Sequence, residues 1–268
     1  MFRAHEQVFT WRAERARLES TVDHRRGSVR FSLIPLPGAA PLSAAFVTRC
    51  IEHARQQGGT EIVTPAVTAR ESAGIRDAGF RERAALHLLV HDLLDIPEDS
   101  GSSGRSKSTL RAGHRRAASA DDEIILQIDR AAFGPDWCLD SGGLQEAVKA
   151  TPRVRIRMAD DPVAGSLGFA ITGRSGRRGY LQRLAVDPNA QRGGIGRSLV
   201  VDALRWNKRW RVARVVVNTQ IGNHAAYELY RRLGFVDAPI GLYVLHLPLL
   251  EPLAQPDSDG PEATTRVL

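Results

Sequence analysis

Residues 181–204 read Leu-Gln-Arg-Leu-Ala-Val-Asp-Pro-Asn-Ala-Gln-Arg-Gly-Gly-Ile-Gly-Arg-Ser-Leu-Val-Val-Asp-Ala-Leu. The spacing predicts an apolar strand over 181–186, a turn at Asp187-Pro188-Asn189, a glycine-rich loop over 191–196 and an amphipathic helix directly after it. A loop that opens a helix leaves backbone N–H groups without intrahelical partners, and the helix dipole adds partial positive charge at that end. Glycines there permit unusual φ/ψ and let a ligand approach the backbone. The guest that suits such a loop is a pyrophosphate.

Three kinds of phosphate loop compete for this stretch. A Walker loop requires G-x-x-x-x-G-K-[ST], and no such string occurs. A dinucleotide loop requires G-x-G-x-x-G with an acidic residue ending the next strand. Here Gly194 and Gly196 are followed by Leu199 at the third glycine's place, and the next strand ends in Asn218. The third pattern, [Q/R]-x-x-G-x-[G/A], is filled by Gln191, Gly194 and Gly196.

Downstream, residues 214–217 are Arg-Val-Val-Val, a compact β-branched strand. Asn223 is a good N-cap, and Ala226, Leu229, Tyr230 and Leu233 then recur on one helical face. Gly234 stands where a left-handed C-cap belongs, with Phe235 placed to pack back on the helix. Loop and helix together resemble the GCN5-related N-acetyltransferase (GNAT) family. Its pattern N-x-x-A-x-x-L-Y-x-x-x-G-F is matched at Asn223, Ala226, Leu229, Tyr230, Gly234 and Phe235. The resemblance implies an α/β (α+β) acyl-CoA N-acyltransferase fold, with a mixed central sheet flanked by helices.

The same resemblance implies acetyl-CoA as acyl-donor co-substrate, a primary amine as acceptor and no metal. Backbone N–H groups of Arg192, Gly193, Gly194, Ile195, Gly196 and Arg197 are expected to hold the pyrophosphate, with Gln191 shaping the loop. The pantetheine arm is expected along the edge of Leu184, Ala185 and Val186, a backbone N–H of Leu184 or Val186 polarising the thioester carbonyl. Asn223 is expected to contact the arm, and Tyr230 to protonate the departing thiolate. Without the motif, Tyr230 reads as a core aromatic and Asn223 as a cap only. Asp136, Glu146, Asp160 and Asp161 are general-base candidates, beside a water chain.

Residues 128–137, Ile-Asp-Arg-Ala-Ala-Phe-Gly-Pro-Asp-Trp, resemble the first-helix segment of ribosomal-protein and other protein N-terminal acetyltransferases. Those enzymes place a glutamate near the end of the fifth strand, where this chain has Asn218. Peptide N-termini and small amines therefore both stand as acceptors. The rival class is a non-catalytic acyl-CoA-binding sensor, which would keep the loop without needing Tyr230.

Residues 109–112, 154–158, 166–172, 180–186, 212–217 and 242–247 read as strands. A helix capped at Asp121-Asp122 is expected to bury Ile124, Ile125, Ile128 and Phe133, and a second spans 144–150. These fill a catalytic domain over 109–250. Residues 97–108 are Ser/Gly-rich and read as a linker, and 251–268 as a disordered tail. In the first 96 residues, 73–80 (Ala-Gly-Ile-Arg-Asp-Ala-Gly-Phe) parallel 228–235, with Ile75 in the place of Tyr230. That region reads as the C-terminal half of a degenerate acetyltransferase domain, its first-half strands missing. Positions 36–41, Leu-Pro-Gly-Ala-Ala-Pro, lack the loop motif, so no catalysis is expected there. A tandem arrangement with one degraded half is similar to that of the mycothiol synthases.

The 268 residues carry a formal charge of +7, with lysine only at 107, 149 and 208, so the basic excess is arginine. It reads as a solvated surface rather than a nucleic-acid site. No apolar run reaches membrane-spanning length and the N-terminus lacks a secretory core, which points to a cytoplasmic protein; a monomer or homodimer is expected. Cys50 and Cys138 offer neither metal spacing nor a disulfide framework.

Overall fold

A computed structural model describes residues 6–23, 28–98, 112–135 and 137–249. The expected linker from 99 to 108, the strand at 109–111, Asp136 and the tail lie outside the described residues. The chain opens with β1 (Glu6–Trp11), β2 (Glu14–Asp23), β3 (Ser28–Pro35), α1 (Ala44–Gln56), β4 (Gly59–Val63), β5 (Val67–Thr68), α2 (Ala69–Asp77) and β6 (Arg81–His91). It continues with β7 (Gly113–Arg116), α3 (Asp122–Phe133), α4 (Ser141–Lys149), β8 (Arg153–Asp161), β9 (Gly165–Ser175) and β10 (Arg178–Val186). It closes with α5 (Ile195–Arg209), β11 (Arg214–Gln220), α6 (His224–Arg232), β12 (Val236–Asp237) and β13 (Leu242–Pro248).

Two compact units result. Among the described residues, one comprises those up to Pro65, Ala73–Arg81 and those from Leu245 on; the other comprises Ala66–Ser72 and those between Glu82 and Val244. In the first, β1, β2 and β3 form an antiparallel meander, β3 runs parallel to β4, and the end of β13 pairs with β4 through His246 and Val63. These strands correct the expectation that first-half strands are missing. Among the β2 side chains that are described, Ala16, Leu18 and Ser20 turn inward between charged or polar neighbours, so the stretch is a two-residue alternation with little apolar content.

In the second unit, β7, β8, β9 and β10 pair antiparallel in sequence order, β10 joins β11 in parallel, and β11 pairs antiparallel with β6. The sheet is mixed and flanked by helices, as expected. Helix α5 buries Ile195, Leu199, Val200, Ala203 and Leu204, the apolar face of an amphipathic helix. Asp161 caps the β8–β9 turn, its Oδ1 accepting from the N–H groups of Val163 and Ala164, both at 2.9 Å.

Strand β6 precedes the expected linker, yet Leu86 to His91 pair with Gln220 to Val215 inside the second unit. The end of β13, expected to complete that same sheet, pairs with β4 in the first. Both strands are apolar and follow similar helices, and alternation alone does not choose the sheet a strand joins. Two local expectations change. Ile124 is 37% exposed, while Ile125, Leu126, Ile128 and Asp129 face inward. Asp121 does not cap α3: its carboxylate accepts from Arg115 at 2.6 and 2.8 Å and from the Ala118 N–H at 2.7 Å. The Arg115 guanidinium is the main reason its pKa falls to about 2.

The echo between 73–80 and 228–235 extends to backbone geometry. Gly79 and Gly234 adopt φ of 97° and 91°. At the end of α2, Gly79 N–H donates to Arg76 O and Phe80 N–H to Ile75 O; at the end of α6, Gly234 donates to Arg231 and Phe235 to Tyr230. Each pair is a helix-terminating Schellman motif. Burial pushes the Cys50 thiol up to about 12, which leaves it an inert packed group.

Candidate active site

Strand β10 carries a bulge between Leu181 and Arg183. Bulges increase local twist and redirect a strand. On one side β10 stays paired with β9 to its end, Leu184 opposite Ala170 and Val186 opposite Gly168. On the other, the parallel register with β11 covers only Arg178 to Tyr180. Beyond Tyr180 the two strands part, so Leu184, Ala185 and Val186 have no strand partner on that side among the described residues. Main-chain groups on a free edge can bind an extended, amide-bearing arm as an added strand.

The loop after β10 is built from its own backbone. Asp187 donates its N–H to Leu167 O at 2.8 Å and accepts from Asn189 N–H at 2.8 Å, which closes a turn at Pro188–Ala190. Gln191 Nε2 donates to Val186 O at 3.2 Å, tying the loop back to the end of β10. Arg192 and Gly194 both take the left-handed region, φ 61° and 88°. The first helical bond of α5 is Ser198 N–H to Gly194 O, 3.0 Å. The N–H groups of Ile195, Gly196 and Arg197 consequently have no intrahelical acceptor. A Cβ built on Gly194 meets nothing within 4 Å, so the space in front of the loop is open. Arg197 donates to Glu98 O at 2.7 Å, and Ser198 Oγ lies 3.0 Å from His114 Nε2.

Helix α6 borders the loop. A Cβ on Gly196 would stand 3.4 Å from Leu229 Cδ2, so the residue at 196 has little room to grow. Asn223 caps α6, its Oδ1 accepting from Ala226 N–H at 3.2 Å, and its side-chain nitrogen makes no hydrogen bond among the described residues. Tyr230 is 4% exposed and belongs to the apolar cluster that contains Ile195 and Leu199, against which Leu184, Val186 and Leu229 pack. Its ring lies 5.5 Å from that of Phe235. Its hydroxyl has no hydrogen-bond partner among the described residues, and burial raises its pKa well above the usual phenol value. The phenol therefore keeps its proton at neutral pH. Tyr227, the other tyrosine of α6, has its hydroxyl engaged by Asp237 at 2.9 Å.

Of the general-base candidates, Asp160 is bound to Arg115 and to Ser166 Oγ, and Asp161 is used in the β8–β9 turn. Asp136 lies outside the described residues. Glu146 sits on α4. Asn218 is exposed on β11, opposite Leu88. Sequence reasoning passed over Arg183 and Asp129. Asp129 is fully buried on α3 and binds Arg183 of β10 through two bonds, 2.6 and 2.8 Å. Arg183 also donates to Trp137 O at 2.7 Å and lies 3.5 Å over the Phe133 ring. The pair holds the segment after α3 against β10. Its traces in the sequence are an arginine inside an apolar strand and an aspartate on an apolar helical face.

Residues 124–235 match the model of the acetyltransferase (GNAT) family. Mycothiol acetyltransferase of Amycolatopsis mediterranei is 30% identical over 171 residues, covering 58% of this chain and 54% of that protein. Human N-alpha-acetyltransferase 30 is 45% identical over 60 residues, 22% of this chain and 17% of that protein. The solved tandem GNAT protein from the clavulanic acid biosynthesis pathway has a TM-score of 0.61 at 14% identity, covering 90% of this chain and 80% of that one. The chain spans about half the length, or less, of these curated relatives. The mixed sheet, the parting of β10 from β11 and the loop between β10 and α5 make the second unit an acyltransferase fold. Its residues 124–235 belong to the GNAT acetyltransferase family.

Proposed function

We propose that the chain transfers an acetyl group from acetyl-CoA to a primary amine, by direct attack in a ternary complex. The observation that carries this reading is the unpaired edge at 184–186 running into a loop whose helix-opening N–H groups are free. The donor set fits a pyrophosphate followed by an amide-bearing arm. Gln191 fixes the loop to Val186 O, residues 192–197 offer N–H groups to the phosphates, and Asn223 has its side-chain nitrogen free for an arm carbonyl. A backbone N–H at Leu184 or Val186 stabilises the charge that develops on the thioester oxygen. Tyr230, held protonated by burial, gives its proton to the leaving sulfur.

The acceptor is a small-molecule amine or a peptide N-terminus; the relatives named above are a mycothiol acetyltransferase and an N-alpha-acetyltransferase. None of the four carboxylates singled out in the sequence is assigned as base, and deprotonation of the incoming ammonium through water fits the described site. The first 96 residues are assigned no catalysis. In that region Glu14 Oε2 accepts from Ser43 N–H at 2.8 Å and Ser43 Oγ at 3.0 Å, so a protein carboxylate already fills the N-terminus of α1. There, too, a Cβ on Gly74 of α2 would stand 2.1 Å from Leu42 O, leaving no gap for an arm.

The test is release of free CoA thiol from acetyl-CoA in the presence of small amines and of short peptides with varied N-termini. Turnover on one class names the acceptor. Binding of acetyl-CoA with no turnover on any amine would contradict the enzyme and favour an acyl-CoA sensor.

A further inference from the structure

A second cleft, of about 410 Å³, lies between β7, β8, β9 and the C-terminal turn of α5. Arg116, Arg153, Arg155 and Arg174 line it together with Trp206 and Trp210. Arg174 lies 4.5 Å from the Trp210 ring centre and Arg155 lies 5.1 Å from that of Trp206. Asp202 takes up Arg155 and, at 3.5 Å, Arg157. Arg116, Arg153 and Arg174 pair with no carboxylate among the described residues. The cleft thus keeps uncompensated guanidinium charge beside two indoles, one of which, Trp210, is 53% exposed.

Unpaired guanidinium groups are fork-shaped donors for phosphate oxygens. Indoles and guanidinium planes are stacking platforms for a flat heteroaromatic ring. A cleft of this size is in the range of small-molecule sites. Its place in the fold separates it from the loop at 191–197. Trp206 is 11 residues along α5 from Ile195, about 16 Å at the usual helical rise. Gly179, opposite Arg174 in the sheet, precedes Val186 by seven residues, about 23 Å of strand. We propose that this cleft is a second ligand site, which takes a nucleoside phosphate with its base on Trp206 and Trp210 and its phosphates on Arg116, Arg153 and Arg174.

The test is calorimetric titration of ATP into the full chain already saturated with acetyl-CoA, so that the 191–197 loop is out of play. ATP is expected to bind at one site. Arg174→Ala and Trp210→Ala should each weaken it about tenfold or more, and inorganic triphosphate should bind about tenfold more weakly than ATP. A single-stranded oligoribonucleotide distinguishes the source of the nucleotide. Tighter binding than ATP with the same dependence on Trp210 identifies a unit within a strand; weaker binding identifies a free nucleotide. No binding of ATP, loss of binding on adding acetyl-CoA, or equal affinity for inorganic triphosphate would each overturn the proposal. Should acetyl-CoA itself fail to bind, the Arg174 and Trp210 variants still read the cleft in its absence, so the two readings fail separately.

Discussion

Glu14 turns its carboxylate onto Ser43 at the N-terminus of α1, accepting from both the backbone N–H and the hydroxyl of that residue. Ser43 Oγ in turn accepts from Phe46 N–H at 3.3 Å, so this helix end carries both a side-chain cap and a carboxylate. At the start of α5 the N-cap is Gly194, which supplies no side-chain cap, and no carboxylate is bound there among the described residues. Glu14→Gln should therefore destabilise the protein by about 1 kcal/mol, the scale of a charged helix cap, and leave acetyl-CoA affinity unchanged. Denaturant unfolding beside a binding isotherm checks both parts. A changed affinity would contradict the assignment of the ligand to α5 alone.

Tyr230→Phe should keep acetyl-CoA binding and stability, because the lost hydroxyl makes no hydrogen bond among the described residues, and should lower turnover about 10²-fold. Burial raises the pKa of this phenol, so its proton is retained through neutral and mildly alkaline pH. Turnover should show no loss from ionisation of this group below about pH 10. Wild-type turnover in the variant would make Tyr230 a core residue only.

His91 carries a pH-dependent part of the stability. Leu93 N–H donates to its Nδ1 at 2.9 Å, which leaves Nε2–H to donate to Leu233 O at 3.0 Å, a neutral tautomer on β6 fixed against the end of α6. Burial is the first cause that lowers its pKa from the ordinary 6.5. The unfolded chain then binds a proton at a higher pH than the folded one. The contribution is whole above about pH 6.5 and is lost progressively as pH falls toward the folded-state value. The melting temperature should drop on acidification below pH 6.5, and His91→Gln should flatten that slope.

Residues 1–96 are not a removable appendage. Their last strand, β6, pairs with β11 from His91 opposite Val215 to Leu86 opposite Gln220. Truncation to residues 97–268 should bare the β11 edge, remove the His91 tie to Leu233 and give an insoluble product. A soluble truncated chain with full activity would contradict the pairing.

The local backbone and capping features that are continuous in sequence were legible. Gly194 and Gly234 take the left-handed conformations their positions imply, Asn223 caps α6, and Gln191 folds back to Val186. What was hidden depends on partners far apart in the chain. Asp129 and Arg183 are 54 residues apart, and neither announces the other. The arginines of the second cleft come from three strands and read singly as surface charge. The meander β1–β3 was missed because its inward positions, Ala16 and Leu18 among them, are flanked by charge. The joining of β6 to β11 was missed because strand pattern carries no information on the partner.

The most direct measurement is calorimetric titration of acetyl-CoA into the wild-type chain and into Gly194→Asp. Gly194 holds φ 88° with open space before it, so an aspartate there adds backbone strain and a negative charge where the pyrophosphate is placed. The account predicts a saturable isotherm for the wild type and none for the folded variant. Equal affinity in the two proteins, or no binding by the wild type, would contradict it.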